Sequence, residues 1–165
     1  MPHCLLLSFL LLWPGLPLLA VLAQPPLSGS LEIHDPSMVG EVGFDMQIME
    51  LFYKHHISYV VKSTNANSIS MVIWEKDKNK ALIRELKEKY PIVTVKAVAV
   101  VCAIGSNIAK PGVLAKAANA LAINKINVEC FSQSLRQVNM QFVILREQYE
   151  KAIIAMNDAL CIDQR

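Results

Sequence analysis

Two glycine-bearing loops are where this sequence could do chemistry. One is residues 37–44, SMVGEVGF, and the other is residues 106–113, SNIAKPGV. Each feeds the start of a helical pattern. A helix N-terminus offers unpaired amide donors and the positive end of the helix dipole, so it suits an anion such as a carboxylate. A tight structural turn uses the same glycines, and one Gly-x-x-Gly spacing does not separate the two uses.

Other chemistries lack their parts. No Ser/His/Asp or Cys/His arrangement is supported by spacing. His55 and His56 end a predicted helix, where a cation is stabilising in itself, so their role is structural or one of surface. The four cysteines, Cys4, Cys102, Cys130 and Cys161, form no C-x-x-C pair, which argues against a zinc or redox site. Cys102 and Cys130 sit in apolar strand-like runs and are expected to be buried thiols. There is no G-x-x-x-x-G-K-[ST] loop. No aromatic RNP-type motif occurs, and the formal charge of +2 is scattered, so no nucleic-acid partner is expected. The one dense charged run, 75–89, mixes both signs at helical spacing and is a solvated helix face. No cofactor and no metal are implied.

The loops must be held by elements, and the elements are repeated. Residues 38–63, MVGEVGFDMQIMELFYKHHISYVVKS, are echoed by 107–132, NIAKPGVLAKAANALAINKINVECFS. Gly43 matches Gly112 and Ile57 matches Ile126, both 69 residues apart. Downstream, Lys80-Ala81-Leu82-Ile83 matches Lys151-Ala152-Ile153-Ile154, now 71 apart. A period near seventy is too long for a helical solenoid and fits two copies of one small layered domain.

The chain has 165 residues, 53% hydrophobic, a globular composition. Residues 1–30 differ, because they contain no Asp, Glu, Lys or Arg. An apolar run over 5–12, Trp13-Pro14-Gly15, and Val21-Leu22-Ala23 before Gln24 together look like a secretory signal peptide, or else an unrelated leader. Pro14 and Pro17 argue against a membrane-spanning helix. The expected division is a leader over 1–30, one domain over 31–95 and a second over 96–165.

In the first copy, 31–34 predicts a strand and Asp35-Pro36-Ser37 a break. Phe44, Ile48, Leu51 and Phe52 fall at helical spacing. Residues 57–61 and 68–74 predict strands around a turn at 64–67. Asn79 caps a helix running to Lys89, in which Glu85 and Lys89 lie four apart. The second copy repeats the order. A buried strand spans 95–104, and a helix opens at Pro111 and Gly112, with Leu114, Ala117, Ala118, Leu121 and Ala122 as its stripe. Strands over 126–131 and 139–145 and a helix over 147–160 follow. Each copy reads β-α-β-β-α, and a further strand completes a ferredoxin-like βαββαβ unit. Residues 93–104 serve the junction, and the second copy has no obvious final strand. The expected class is α+β, two ferredoxin-like βαββαβ units in tandem, with antiparallel sheets and helices on one face.

These residues resemble a known family. The run 98–144 looks like the second ACT domain of aspartate kinases through Ile104-Gly105, Pro111-Gly112-Val113, Ile126-Asn127-Val128, Phe131-Ser132-Gln133 and Asn139-Met140-Gln141-Phe142-Val143. The first copy resembles the partner ACT domain through Met38-Val39-Gly40, Gly43-Phe44 and residues 63–70. The likeness spans 31–160.

The resemblance implies an allosteric amino-acid sensor. Family ACT domains pair side by side, and lysine or threonine at the interface inhibits the kinase. By position, the ligand wall of the first copy is Met38, Glu41, Gly43, Phe44, Asp45, Tyr59, Val60, Asn65 and Asn67. That of the second is Asn107, Ile108, Gly112, Val113, Gln133 and Asn139. A side chain at Gly43 is expected to intrude on the ligand. The implied partners are an amino-acid effector, a second copy joined through ACT domains, and an aspartate kinase catalytic domain. The implied location is cytoplasmic, or the secretory pathway if the leader functions. Two departures stand out. Many lysine-sensing members have Asp where Val60 stands, leaving Asp45 or Glu41 as substitutes. The kinase domain is absent from this sequence, so the chain is expected to be no enzyme by itself. The alternatives are an orphaned fragment that only dimerises, and a regulatory subunit of a separate catalytic chain.

Overall fold

The computed structural model describes residues 19–23, 28–105, 108–136 and 138–161. Its strands are β1 (Leu19–Ala23), β2 (Ser28–His34), β3 (Val61–Thr64), β4 (Ser68–Trp74), β5 (Ile92–Gly105), β6 (Cys130–Gln133) and β7 (Asn139–Leu145). Its helices are α1 (Phe44–Lys54), α2 (Lys80–Lys89), α3 (Val113–Ile123) and α4 (Tyr149–Cys161), with short 3₁₀ turns before α1, α2 and α4. Among the described residues no helix is long and apolar enough to cross a membrane.

Local chemistry accounts for the helix boundaries. Asn79 Oδ1 accepts from the amides of Ala81 and Leu82, capping α2. α1 ends in a Schellman turn: His56 has φ 54°, and the Ile57 amide donates to the Phe52 carbonyl at 3.0 Å. α3 ends the same way, with Lys125 at φ 57° and Ile126 donating to Leu121 at 2.9 Å. These turns explain why the strands expected from 57 and 126 begin later, at Val61 and Cys130. Ile57 and Ile126 are apolar because they lie against the helix-side cores. Pro111 lies ahead of the helix it was expected to open, since Gly112 is the N-cap and α3 starts at Val113. Glu85 pairs across to Lys54 at 2.9 Å rather than along its own helix to Lys89, and His55 Nε2 lies 3.3 Å from it. The end of α1 sits beside α2, and that proximity outweighs the i,i+4 spacing.

The sheet is antiparallel, in the order β3-β4-β2-β5-β7-β6, with β1 also on β5. β5 is shared by both copies. Its first half pairs with β2, from His34 opposite Ile92 to Ser28 opposite Val98. Its second half pairs with β7, and on its other side with β1, from Leu19 opposite Gly105 to Ala23 opposite Val101.

This corrects the expected organisation at its N-terminal end. Residues 1–30 are not wholly outside the fold, because β1 and the start of β2 fall within them. The second copy does have a final strand, which is β1. The local order β6-β7-β5-β1 reproduces β3-β4-β2-β5 of the first copy. The first unit is thus inserted into the second. An apolar run such as LAVLA fits a leader and a strand equally, so its composition cannot separate them.

Each unit buries one sheet face under its helices. Leu31, Ile33, Ile48, Phe52, Ile69, Met71, Leu82 and Leu86 pack in the first. Ala99, Val101, Ala117, Leu121, Phe142, Ile144 and Met156 pack in the second. A third cluster lies on the opposite sheet face: Val61, Val72, Val98, Val100, Cys102 and Val143, with Val60 and Cys130 against them. β3 and β6, the two ends of the strand order, touch. The sheet therefore folds over, and the helix-free faces of the two units cover one another.

Candidate functional site

In the first unit the 35–44 loop is held from both ends. Asp35 Oδ1 accepts from the Ser37 amide at 2.9 Å. The Asp35 amide donates to the Asn67 carbonyl at 3.0 Å, which ties the β3–β4 hairpin to the loop. Met38, Glu41, Gly43, Asn65 and Asn67 are thereby brought to one end of the unit. Gly43 is the N-cap of α1 at φ 84° and makes no side-chain cap. Its would-be Cβ meets nothing within 4 Å. Side-chain intrusion is therefore not the constraint on Gly43 within this chain; the backbone angle is.

The other residues of the expected wall divide. Phe44 is buried, its ring 5.4 Å from that of Tyr90. Tyr59 is exposed, whereas Val60 donates its amide to Val72 at 2.7 Å and packs against the inter-sheet cluster. Asp45 Oδ2 receives Lys62 Nζ at 2.6 Å. Sequence reasoning missed Lys62. Strand alternation was the available signal, because Val61 faces the inter-sheet layer and Lys62 must face the helices. Tyr90 is buried and its hydroxyl has no hydrogen-bond partner among the described residues. Burial first, then the charges of Asp35 and Glu41, push that hydroxyl above the ordinary tyrosine range.

The second unit repeats the frame with different charge. Gly112 is the N-cap of α3 at φ 89°, again without a side-chain cap, and its would-be Cβ also meets open space. Ile108 is buried and Val113 packs on the core. Gln133 and Asn139 end the strands of the β6–β7 hairpin, and the Gly105 amide donates to Val138 beside them at 3.0 Å. Asn107 lies outside the described residues. Lys110 occupies the position that Glu41 holds in the first copy, 69 residues earlier. Likewise Glu129 stands where the first copy has Val60, and both make the same backbone bond, Glu129 donating to Val143 at 2.8 Å.

Glu129 closes a small polar cavity of about 30 Å³ between the units, with Ser30, Glu32, Ser70, Thr94 and Lys96. That is room for about one water. Lys96 Nζ donates to Glu129, which also accepts from Asn127 at 3.1 Å. The Lys96 hydrogen bond holds the Glu129 carboxyl below its ordinary value, and the same bond raises the Lys96 ammonium.

Neither helix N-terminus has a side-chain cap from its glycine, although the Val113 amide of α3 donates to the Lys110 carbonyl at 3.3 Å, and no metal-ligating cluster occurs among the described residues.

Residues 101–160 match the family model of the ACT domain. The chain is 40% identical over 134 residues to the aspartate kinase Ask_Ect of Stutzerimonas stutzeri (strain A1501), covering 79% of this chain and 28% of that protein. The chain spans about a quarter of the length of the curated relatives it matches. The regulatory subunit of aspartate kinase from Thermus flavus superposes with a TM-score of 0.72 at 16% identity, covering 88% of this chain and 99% of that one. Aspartokinase III of E. coli, in a complex with lysine and aspartate, superposes with a TM-score of 0.69 at 18% identity over 90% of this chain and 34% of that one. Residues 101–160 thus match the ACT-domain family, and the chain as a whole is similar in sequence to aspartate kinases and has the fold of their regulatory regions.

Proposed function

We propose that this chain is an amino-acid-sensing regulatory tandem belonging to an aspartate kinase. Both units act as ACT domains, with the first, from Ser28 to about Ala97, inserted into the second. The effector's α-carboxylate sits on the first-turn amides of α1 or α3, and its side chain meets the neighbouring hairpin at an interface between ACT domains. The observation that carries this reading is the recurrence of an uncapped, positive-φ glycine N-cap at equivalent positions, Gly43 and Gly112. Such a helix end stabilises a carboxylate.

The charges favour threonine over lysine as effector. Asp45, the nearest candidate for an ammonium partner, is already neutralised by Lys62, and Val60 is apolar. A lysine side chain would have to displace Lys62 or rely on the exposed Glu41, a pairing worth little in solvent. Catalysis belongs to a kinase domain, and the regulatory tandem carries no phosphotransferase activity of its own.

Isothermal titration of the full chain with threonine, lysine and methionine tests this. Saturable heat with threonine, weaker or absent with lysine, is expected. Silence with all three removes the sensor reading. Turnover of aspartate with ATP above a buffer control removes the non-catalytic one.

A further inference from the structure

The junction between the units carries polar groups that the fold does not require. On the helix-free side of the first unit, Glu32 of β2 stands in register between Ser70 of β4 and Thr94 of β5. Ser30 stands two residues along, between Val72 and Lys96. The repeat supplies the comparison. Gln141, 71 residues after Ser70, is in register with Cys102, and Val143, the copy of Val72, is in register with Val100. The second unit thus has Val100 and Cys102 where the first has Ser30 and Glu32, and both are buried. A valine and a small, weakly polar thiol satisfy this frame. A carboxylate flanked by hydroxyls is therefore a property of the first unit's sequence.

These groups line the small cavity closed by Glu129, and they lack partners. Ser30 is only 9% exposed. No described residue hydrogen-bonds to the hydroxyls of Ser30, Ser70 and Thr94 or to the carboxylate of Glu32. Buried polar atoms are normally satisfied, so these point to an occupant. Glu129 on the facing wall is already engaged, one oxygen accepting from Lys96 and the other from Asn127. Two carboxylates thus share a single ammonium, and the uncompensated negative charge falls on Glu32. An anion would be repelled there. A hard cation suits a wall of carboxylate and hydroxyl oxygens.

We propose that this cavity binds a small monovalent cation, namely sodium, potassium or ammonium, on the Glu32 carboxylate and the hydroxyls of Ser30, Ser70 and Thr94. Its volume of about 30 Å³ admits one water-sized particle. One positive charge balances the site, whereas a divalent ion would leave an excess beside Lys96. A divalent ion also asks for clustered acidic, His or Cys ligands, and no such cluster occurs among the described residues. The exposed Lys96 marks the way in from solvent. The oxygen donors belong to the first unit, while Glu129 and Cys130 close the cavity from the second. Occupancy therefore ties the two units together. The site lies on the sheet face away from the helices, so it is separate from the effector loops and stands whether or not an amino acid binds there.

Thermal unfolding of the full chain, followed by circular dichroism at fixed ionic strength, tests the site. Tetramethylammonium chloride, whose cation is too large for the cavity, is the reference, and sodium, potassium or ammonium chloride replaces it stepwise. At least one of these is expected to raise the midpoint saturably, by about 3–6 °C at about ten times its Kd, and the largest rise identifies the ion. Glu32→Gln should abolish the rise, and Ser70→Ala should reduce it. Glu75→Gln, which removes a junction carboxylate outside the cavity, should keep it. Coincident curves in all the chlorides assign a water to the cavity and overturn the proposal. A rise that Glu32→Gln leaves undiminished overturns it too, because the ion then binds elsewhere. If Glu32→Gln does not fold, undiminished rises in both Ser70→Ala and Thr94→Val overturn it. A larger response to magnesium or calcium chloride overturns the monovalent assignment.

Discussion

Glu75 Oε2 accepts from Arg146 Nη2 at 2.7 Å, and these two residues are one position of the repeat, 71 residues apart. Each follows the third strand of its unit, at the start of a 3₁₀ turn. Val72 and Val143, also 71 apart, meet in the same inter-sheet cluster. The duplication became a closed pair of units in which one position turned acidic and its copy basic.

This pair should couple the units modestly. Both side chains are about one-third exposed, so Glu75→Gln and Arg146→Gln should each destabilise by about 0.5–1 kcal/mol. A double-mutant cycle in urea should return a coupling of similar size. Strict additivity would remove the pair from any account of how the units are held.

Acid should loosen the same junction. The hydrogen bond from Arg146 lowers the Glu75 carboxyl, and that from Lys96 lowers Glu129. A depressed folded value means that the stabilisation is present above the ordinary carboxylate value of 4.5 and is lost as pH falls through the lower folded value. The double variant Glu75→Gln/Glu129→Gln should show a shallower loss of stability below about pH 4.5 than wild type. Parallel acid limbs would show that other carboxylates govern the transition.

Gly43 and Gly112 should tolerate side chains sterically but not conformationally. A Cβ meets nothing within 4 Å at either, yet φ is +84° and +89°. Gly43→Ala and Gly112→Ala should each cost about 1–2 kcal/mol through the backbone. Asn in place of either glycine should cost less, because it enters the left-handed region more readily. Equal penalties for Ala and Asn in thermal melts would contradict this.

Cys130 should be a slow nucleophile. Burial, helped by the charges of Glu129 and Glu32, pushes its thiol to about 11, and burial raises Cys102 as well. In a Cys4→Ser/Cys161→Ser background, alkylation by iodoacetamide near pH 7.5 should run at less than about one-tenth the rate of free cysteine. Rapid modification of the folded chain would show that these thiols are not shielded.

β1 should matter more to stability than a removable leader would. Truncation through Ala23 strips the 101–105 edge of β5 and uncovers α4, which packs on β1. It should lower stability by about 2–4 kcal/mol and promote aggregation through the bared edge. Truncation through Leu18 keeps β1 and should leave the melting curve near that of the full chain. Identical behaviour of the two truncations would make β1 dispensable.

Much of the site's frame was legible from the residues. The repeat at 69 located both glycine caps, because the same backbone angle demands glycine in each copy. Asn79 announced α2, and the alternation of 68–74 announced β4. The contents of the site were less legible. Phe44 starts a helix beside a presumed ligand loop, yet its ring turns inward to Tyr90, a choice made by packing with a residue 46 positions away. Lys62 was passed over because its partner Asp45 lies on another element.

The sequence by itself determined the local units: periodicity, caps and turns act over a few residues, and each copy repeats them. The tertiary structure alone decided how the units close. β1 completes the second unit from the far end of the chain, β5 serves both units, and the helix-free faces fold together around Val72 and Val143. An apolar residue states that it must leave water but not which face will cover it, so composition marks the surface to be buried and only the assembled topology supplies the partner.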